Sequence, residues 1–313
     1  MKLHAPFVQL PLQFDAGRLA EEVAAFAAAW RPHARLPAFS TLPLTCAGES
    51  FDGGAASAPM RATGHLGRCP YLMQVLAHLD APWGRVRLLK FTDCTGTTRH
   101  ADVSYYGMDH MTLHVPITTP PGMRFVNGGV EIRMEAGECW VVDTWREHRL
   151  VSDGRGEGIH LVADTVGGRK FRDLFGRARV QRQVTPDWRP QFLVPSGNPV
   201  RLRFESTGVP QVMTPWELRE RIGLLLGDTR PHPKLPAVRD ALARFTDAWH
   251  VLWTRYGLDV RGRGAYKGAL ENIVQDMELE ATELRLGNRV AFLQALRGIV
   301  LETALSGDEE PAA

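Results

Sequence analysis

Residues 137–166, GECWVVDTWREHRLVSDGRGEGIHLVADTV, decide the fold. Two runs rich in β-branched and aromatic residues, GECWVVDT and GIHLVADTV, flank a third, EHRLVSDG. Runs of this length and composition, separated by Gly and Asp turns, read as strands. Working outward to Gly84, five more appear: RVRLLKFT, RHADVSYY, HMTLHVPITT, MRFVNGG and VEIRMEAG. Eight short strands at close spacing predict an antiparallel barrel or double-sheet roll. In such a roll, facing positions of separate strands converge on one interior pocket.

The second of these runs carries His100-Ala101-Asp102, and the EHRLVSDG run carries His148. Residues two apart on a strand share a face. A second histidine from a distant strand then completes three ligands on one side of a metal and leaves the other side open. Two neutral imidazoles and one carboxylate suit the open facial site of non-haem Fe(II) oxygenases. The triplet alone is unspecific, since 11 His and 17 Asp in 313 residues give about 0.6 such triplets by chance. A second one, His78-Leu79-Asp80, exists. It falls at the end of PYLMQVLAHLD, whose Leu72, Val75, Leu76 and Leu79 have helical spacing. Positions two apart on a helix face different directions, so that pair is expected to be a helix-end polar pair and not a chelate. Five of the eleven histidines, His100, His110, His114, His148 and His160, lie in the strand region. His110 is expected in an exposed loop.

The bulk composition is that of an ordinary globular protein, with 44% hydrophobic and 23% charged residues. A net charge of +2 gives no argument for nucleic acid or an anionic membrane as partner. The 32 Arg against 5 Lys read as compositional bias. No run of about 18 uncharged apolar residues occurs, so no membrane span is expected. The opening MKLHAPFVQLPLQFD lacks the apolar centre of a signal peptide, and a cytosolic location is the default expectation. Cys46, Cys69, Cys94 and Cys139 are scattered, without a C-x-x-C pair, and suggest neither zinc nor a disulfide framework. Cys139, inside GECWVVD, is expected as a small buried hydrophobe.

The flanks read differently. FVQLPLQF (7–14) alternates as a strand, and Asp15 caps a helix running to Arg31-Pro32. Residues 33–68, rich in Gly, Ala, Ser and Pro, read as loop. Beyond residue 200 the pattern turns helical. Thr214-Pro215-Trp216-Glu217 is an N-cap, a first-turn proline and a capping-box glutamate. Val238, Leu242, Phe245, Trp249 and Leu252 form a core-facing stripe, and NRVAFLQALRGIVLETAL closes the helical region.

Four segments together resemble the aspartyl/asparaginyl β-hydroxylase superfamily of Fe(II)/2-oxoglutarate dioxygenases, and most closely in layout its free L-proline hydroxylases. These are LPLQFDAGRLAEEV, RVRLLKFTDCTGTTRHAD, MTLHVPITTPPGMRF and the 137–166 stretch, with 48 residues from His100 to His148. The resemblance implies a double-stranded β-helix (jelly-roll, cupin-like) core with flanking helices over residues 1–195. It implies an α-helical C-terminal domain over 196–306 that covers the barrel mouth, followed by a disordered tail, 307–313. It implies Fe(II) held by His100, Asp102 and His148, with 2-oxoglutarate and O2 as co-substrates, and hydroxylation of an unactivated C–H in a free amino acid or similar small molecule. Asp102 argues against the halogenating variant, in which a small residue replaces the carboxylate. His114 matches a histidine that contacts 2-oxoglutarate in some members.

Two departures stand out. Where the family has an arginine ten residues after the distal histidine, this chain has Gly158, and the arginine of an Arg-x-His segment is Thr112. A bidentate arginine–carboxylate pair is geometry-selective, and glycine cannot replace it. Three explanations stand: Arg124 or Arg149 reaches the pocket from another strand; Arg155 takes the role in a shifted register; or the co-substrate differs or is not used. His160 shares a strand face with position 158 and is a further co-substrate candidate, with a buried structural histidine as the alternative. Arg99, Tyr105, Trp145 and Arg146 are substrate-side candidates, with Tyr106 beside them. Three functional classes follow: an Fe(II) oxygenase with or without 2-oxoglutarate, a non-redox metal enzyme of cupin type, or a barrel that only binds a ligand. A peptide- or carrier-bound residue is the alternative substrate. Oligomeric state, a homodimer included, is open.

Overall fold

The computed structural model describes residues 2–33, 36–48, 59–92, 96–180, 183, 186–206 and 208–306. Cys94 and the tail 307–313 lie outside them. The chain is mixed α and β and divides into two units, Met1–Asp102 with Asp109–Thr207, and Val103–Met108 with Gly208–Ala313.

In chain order the elements up to Thr92 are β1 (Phe7–Phe14), α1 (Ala16–Ala24), β2 (Arg31–His33), β3 (Leu36–Pro43), β4 (Thr45–Ala47), β5 (Met60–Ala62), α2 (Pro70–Leu79), β6 (Pro82–Trp83) and β7 (Val86–Thr92). Then follow α3 (Tyr105–Asp109), β8 (Met111–Thr118), β9 (Arg124–Asn127), β10 (Val130–Ile132), β11 (Glu138–Val142), β12 (His148–Val151) and β13 (Glu157–Thr165). After these come α4 (Arg169–Gly176), β14 (Arg179–Val180), β15 (Gln191–Leu193) and β16 (Arg203–Phe204). The last helices are α5 (Pro215–Asp228), α6 (Leu235–Tyr256), α7 (Arg263–Glu280) and α8 (Phe292–Leu296).

The large sheet has the order β14-β1-β11-β8-β13-β7-β3-β2, antiparallel throughout, with β15 added in parallel to β1. A smaller antiparallel sheet has the order β10-β9-β12. Alternation decides what each face of the large sheet meets. Leu88, Leu113, Val115, Val141, Leu161 and Ala163 pack with Leu19 and Val23 of α1 and Leu72, Val75, Leu76 and Leu79 of α2. From the opposite face, Phe39, Leu89 and Phe91 pack with Met123, Phe125 and Leu150 of the small-sheet region. Phe7, Trp140 and Val142 pack with Ile132 and Phe125. Strands buried on both faces lose the clean apolar/polar alternation, which is why ECWVV is buried at every position.

Three expectations are corrected. RHADVSYY is not a strand: His100 makes one isolated bridge to His148, and Tyr105 begins α3. The helix capped by Asp15, whose side chain accepts from the Arg18 amide, stops at Ala24 and not near Arg31. Of Ala25–Ala29 only Phe26 is buried, so continued helix would bury little; packing overrides the helical preference of the alanines. The 33–68 loop contains β3, β4 and β5 among its described residues. β3 pairs with β7 along Phe39–Pro43 despite its prolines.

The second unit is helical. Thr214 accepts from the Glu217 amide and Pro215 opens α5, as the capping box predicts. Val238, Leu242, Phe245 and Trp249 of α6 are buried, while Leu252 is half-buried. The Trp249 indole donates to the Met213 carbonyl at 2.9 Å.

α1 and α2 are tied by a carboxylate. Buried Glu22 accepts from the first amides of α2, Tyr71 at 2.8 Å and Leu72 at 3.0 Å. Those amides have no partner inside the helix. Glu22→Ala is expected to destabilise the protein by about 1–3 kcal/mol, the cost of buried donors left unsatisfied, and Glu22→Gln by less. Urea unfolding monitored by circular dichroism measures both.

Candidate metal centre

The site is built on backbone pairing between residues 96–102 and 144–151. His100 and His148 exchange both backbone hydrogen bonds, at 3.1 and 2.8 Å. The Asp102 amide donates to the Thr144 carbonyl at 2.9 Å, and the Thr97 amide to the Leu150 carbonyl at 3.0 Å. A Gly96–Val151 bridge continues the pairing. The segment thus lines the free edge of β12 without forming a regular strand, and the period of two still puts His100 and Asp102 on one side.

Donor atoms of His100, Asp102 and His148 all lie within 4.8 Å of one another. The Asp102 carboxylate oxygens stand 3.9 Å from each Nε2, too far for hydrogen bonds and within the span one ion bridges. His100 Nδ1 bonds the Thr98 carbonyl at 2.9 Å, and His148 Nδ1 bonds the Arg146 carbonyl at 2.9 Å. A carbonyl accepts only from a protonated nitrogen, so both Nδ1 atoms carry hydrogen and both Nε2 lone pairs face the centre. Burial, opposed by Asp102, holds the His148 pKa below its ordinary value. A neutral ring is the ligand form. The side chains of His100 and Asp102 are 46% and 52% exposed, so the centre is open on one side.

The approach to His148 is braced from below. Asp143 is fully buried and accepts from the Leu3 amide, the Trp145 amide and the Arg146 guanidinium at 3.1, 3.1 and 2.9 Å. Asn127, opposite His148 in the β9–β12 ladder, donates to the Pro6 and Asp143 carbonyls. Arg146 also donates to the Leu3 carbonyl at 3.2 Å. Its guanidinium and the buried Trp145 therefore position the turn before His148.

The inner wall of the large sheet carries two further histidines. His114 of β8 and His160 of β13 meet edge to face with ring centroids 5.9 Å apart, and both contact Phe125. His114 Nδ1 and both His160 nitrogens are buried without a hydrogen-bond partner. Burial, with help from Arg87 and His148, pushes the His114 pKa down to about 3. Burial, with help from His114, pushes His160 well below its usual range. Both rings are neutral near pH 7.

The other residues named from sequence go elsewhere. Arg124 donates to the Pro121 and Met123 carbonyls at 2.6 and 3.0 Å, and alternates with Phe125, facing away from the large sheet. Arg149 alternates with His148 and Leu150 in the same sense, and its Nε is buried without a hydrogen-bond partner. Arg155 is exposed. Exposed Arg99 pairs with Glu147 at 3.6 Å. Tyr105 lies in the second unit, where it donates to Glu217 at 2.6 Å under the Arg221 guanidinium. His110, expected in an exposed loop, is largely buried and contacts Glu205 through Nε2 at 2.7 Å; the β16 segment supplies a partner that the local sequence does not announce. Asp80 caps α2 with φ 52° and pairs with Arg203 at 2.7 Å, so the second His-x-Asp is a helix end. Cys139 is fully buried, as expected.

Residues 52–167 match the family model described as Aspartyl/Asparaginyl beta-hydroxylase. The resemblance read from the sequence holds over that stretch, which includes His100, Asp102 and His148. No curated protein matches the chain. Among solved structures, an oxidoreductase of the 2OG-Fe(II) oxygenase family from Burkholderia pseudomallei is 15% identical, with TM-score 0.40, over 53% of this chain and 87% of that one. A prolyl-4-hydroxylase from Pseudomonas putida is 16% identical, with TM-score 0.34, over 52% and 92%. HygX from Streptomyces hygroscopicus, solved with nickel and 2-oxoglutarate, is 10% identical, with TM-score 0.36, over 53% and 84%.

The buried neutral histidines set an acid limit. Well above pH 6.5 native and unfolded rings are both neutral and contribute no pH dependence. Below it the unfolded chain takes up protons that His114, His160 and His148 refuse, so stability falls as pH drops from about 6.5 toward 3. Urea midpoints of the metal-free protein at pH 7.5 and pH 5 are expected to show this loss, and His160→Phe to reduce it.

Proposed function

We propose that this protein is a non-haem Fe(II) oxygenase on a double-stranded β-helix, hydroxylating an unactivated C–H of a free amino acid or amino-acid-like small molecule with 2-oxoglutarate as co-substrate. The observation that carries the reading is the His100–Asp102–His148 cluster, with both Nδ1 atoms held by carbonyls and both Nε2 atoms turned to one centre. The family match over residues 52–167 supports it, as does the packing of a large antiparallel sheet on a smaller one.

The donor set fits Fe(II): two neutral imidazoles and a hard carboxylate, with one side left for other ligands. Fe(II) with O2 and a 2-oxo acid supplies the oxidising power that removes hydrogen from an unreactive C–H. The chain's own part is to orient and enclose. Thr98 and Arg146 carbonyls fix the tautomers of His100 and His148. Asp143 and Asn127 hold the turn before His148 in one geometry. Trp140, Phe125, His114 and His160 wall the interior side with groups that carry no charge near neutral pH. A second reading, an Fe(II) oxygenase that takes no 2-oxoglutarate, is favoured by Gly158 and Thr112 at the two positions where the family carries arginine.

Bound metal and succinate release across a panel of free amino acids test the first reading. Under nitrogen, Fe(II) and 2-oxoglutarate are expected to give a weak visible charge-transfer band. Oxygen consumption with an amino acid but without that band or succinate selects the second reading. His148→Ala is expected to lose stoichiometric iron, and unchanged iron binding would sink the ligand assignment. Asp143→Ala, which touches no metal, is expected to weaken iron binding about 10–100-fold by releasing the turn that aims His148. Equilibrium titration with Fe(II) under nitrogen reads both.

A further inference from the structure

The end of the pocket where the family arginine would meet a far carboxylate is filled here by the Met123 side chain. A Cβ on Gly158 would stand 2.7 Å from Met123 Cε and 2.9 Å from Met123 Sδ. Around it Phe39, Phe91, Met123 and Leu150 form an apolar cluster. A carboxylate placed there without a partner would bear the full desolvation cost of a buried charge. Thr112 gives its hydroxyl to Asp164 at 3.0 Å.

The opposite side of the same face is different. Trp140, His114, Val162 and Arg87 form one row across β11, β8, β13 and β7, set by the ladder registers Trp140–His114, Val162–His114 and Val162–Arg87. Arg87 alternates with Leu88 and shares its face with Leu89 and Phe91, so it points toward the small sheet. It lies in the electrostatic neighbourhood of His114, as does the metal-site His148. Arg87 donates one hydrogen bond, Nη1 to Asp164 Oδ2 at 3.3 Å, and that same oxygen stands 3.4 Å from Arg85 Nε. The Arg87–Asp164 contact is thus single and shared, where a guanidinium–carboxylate pair forms a two-bond fork at its best. The Arg87 side chain is 32% exposed. Its remaining donors can meet an incoming anion without stripping it of all water. His114 Nδ1, buried and without a partner, adds one neutral hydrogen-bonding atom in the same row.

We propose that Arg87, with His114 two strands away in the same row, is the carboxylate-binding group of this site, contributed by β7 in place of the arginines that positions 112 and 158 lack. The inference rests on the oxygenase reading above. The carboxylate belongs either to 2-oxoglutarate or to the amino-acid substrate; Arg87 would recognise both by the same chemistry.

The test uses the full chain, loaded with Fe(II) under nitrogen, in wild-type, Arg87→Gln, Arg87→Lys and Arg124→Gln forms. Calorimetry and the charge-transfer band measure binding of 2-oxoglutarate, of its C5 amide, and of a panel of free amino acids with their amides. Arg87→Gln is expected to weaken one class of carboxylate at least about thirtyfold, Arg87→Lys by less because it keeps charge without the fork. Iron affinity should change less than about threefold, and Arg124→Gln should change nothing. Loss confined to 2-oxoglutarate assigns Arg87 to the co-substrate, and loss confined to amino acids assigns it to the substrate. If Arg87→Gln does not fold, the amide ligands make the same comparison on the wild-type protein with Arg87→Lys. An acid and its amide that bind equally well to both forms then overturn the proposal. It is also overturned if Arg87→Gln binds every ligand as wild type does. A wild-type protein that gives no band or succinate with 2-oxoglutarate, yet binds amino acids through Arg87, ends the 2-oxoglutarate reading and leaves this one standing. Binding of neither class ends both.

Discussion

The site depends on the reciprocal backbone pair between His100 and His148. These residues lie 48 positions apart, and two hydrogen bonds lock them side by side at one level of the small sheet. Once that pair is fixed, strand periodicity sets Asp102 on the same side, and the Thr98 and Arg146 carbonyls decide which nitrogen each ring offers. The side chains contribute chemistry, but main-chain pairing gives them common geometry. It follows that the residues supporting this pair, Asp143 and Asn127, matter as much as the donors. Each is fully buried and bonds the backbone both of the turn and of the N-terminal segment, at Leu3 or Pro6.

Burial and charge are divided across the inner wall. Where Phe39, Phe91, Met123 and Leu150 meet, no charge is tolerated, and the nearby His160 is held neutral. Along the row of His114 and Arg87 the wall turns polar, with Thr112, Arg85 and Arg87 gathered around the Asp164 carboxylate. Burial pushes the Asp164 pKa up, but Arg87 and Arg85 outweigh it and hold the group below its ordinary value, so it is ionised. The wall is therefore polarised, apolar toward Gly158 and Phe91 and cationic toward Arg85 and Arg87.

Much of this was legible in the sequence. Turn residues and β-branched runs marked β7 through β13, because Gly and Asp punctuation survives whatever the strands pack against. The competing triplet at His78 was separated from His100 by helical spacing alone. What escaped detection did so for identifiable reasons. β3 was hidden by prolines and by its place in a Gly- and Ala-rich stretch. The pairing of residues 97–102 was legible as period two, although its edge position leaves it short of a regular strand. His110 lost its exposed-loop reading to Glu205, 95 residues away. The role proposed for Arg87 was not legible because β7 is flanked on both faces: in VRLLKFT apolar residues occupy both faces and mask which way the arginine points. Its alternation with Leu88 and agreement with Leu89 and Phe91 was the available signal, and it needed the identity of each face to be read.

The contact between Gly158 and Met123 has a consequence for how this sequence can change. An arginine at 158 and a methionine at 123 claim the same volume, since even a Cβ meets Met123 Cε at 2.7 Å. Introducing the arginine alone overpacks a closed interior, and trimming Met123 alone leaves a void lined by Phe39, Phe91 and Leu150. Either single step lowers stability, and the two together still set an unpaired guanidinium among Phe39, Phe91 and Leu150. Positions 158 and 123 are thus coupled through shared volume, and an arginine at 158 needs a carboxylate partner as well as a smaller residue at 123.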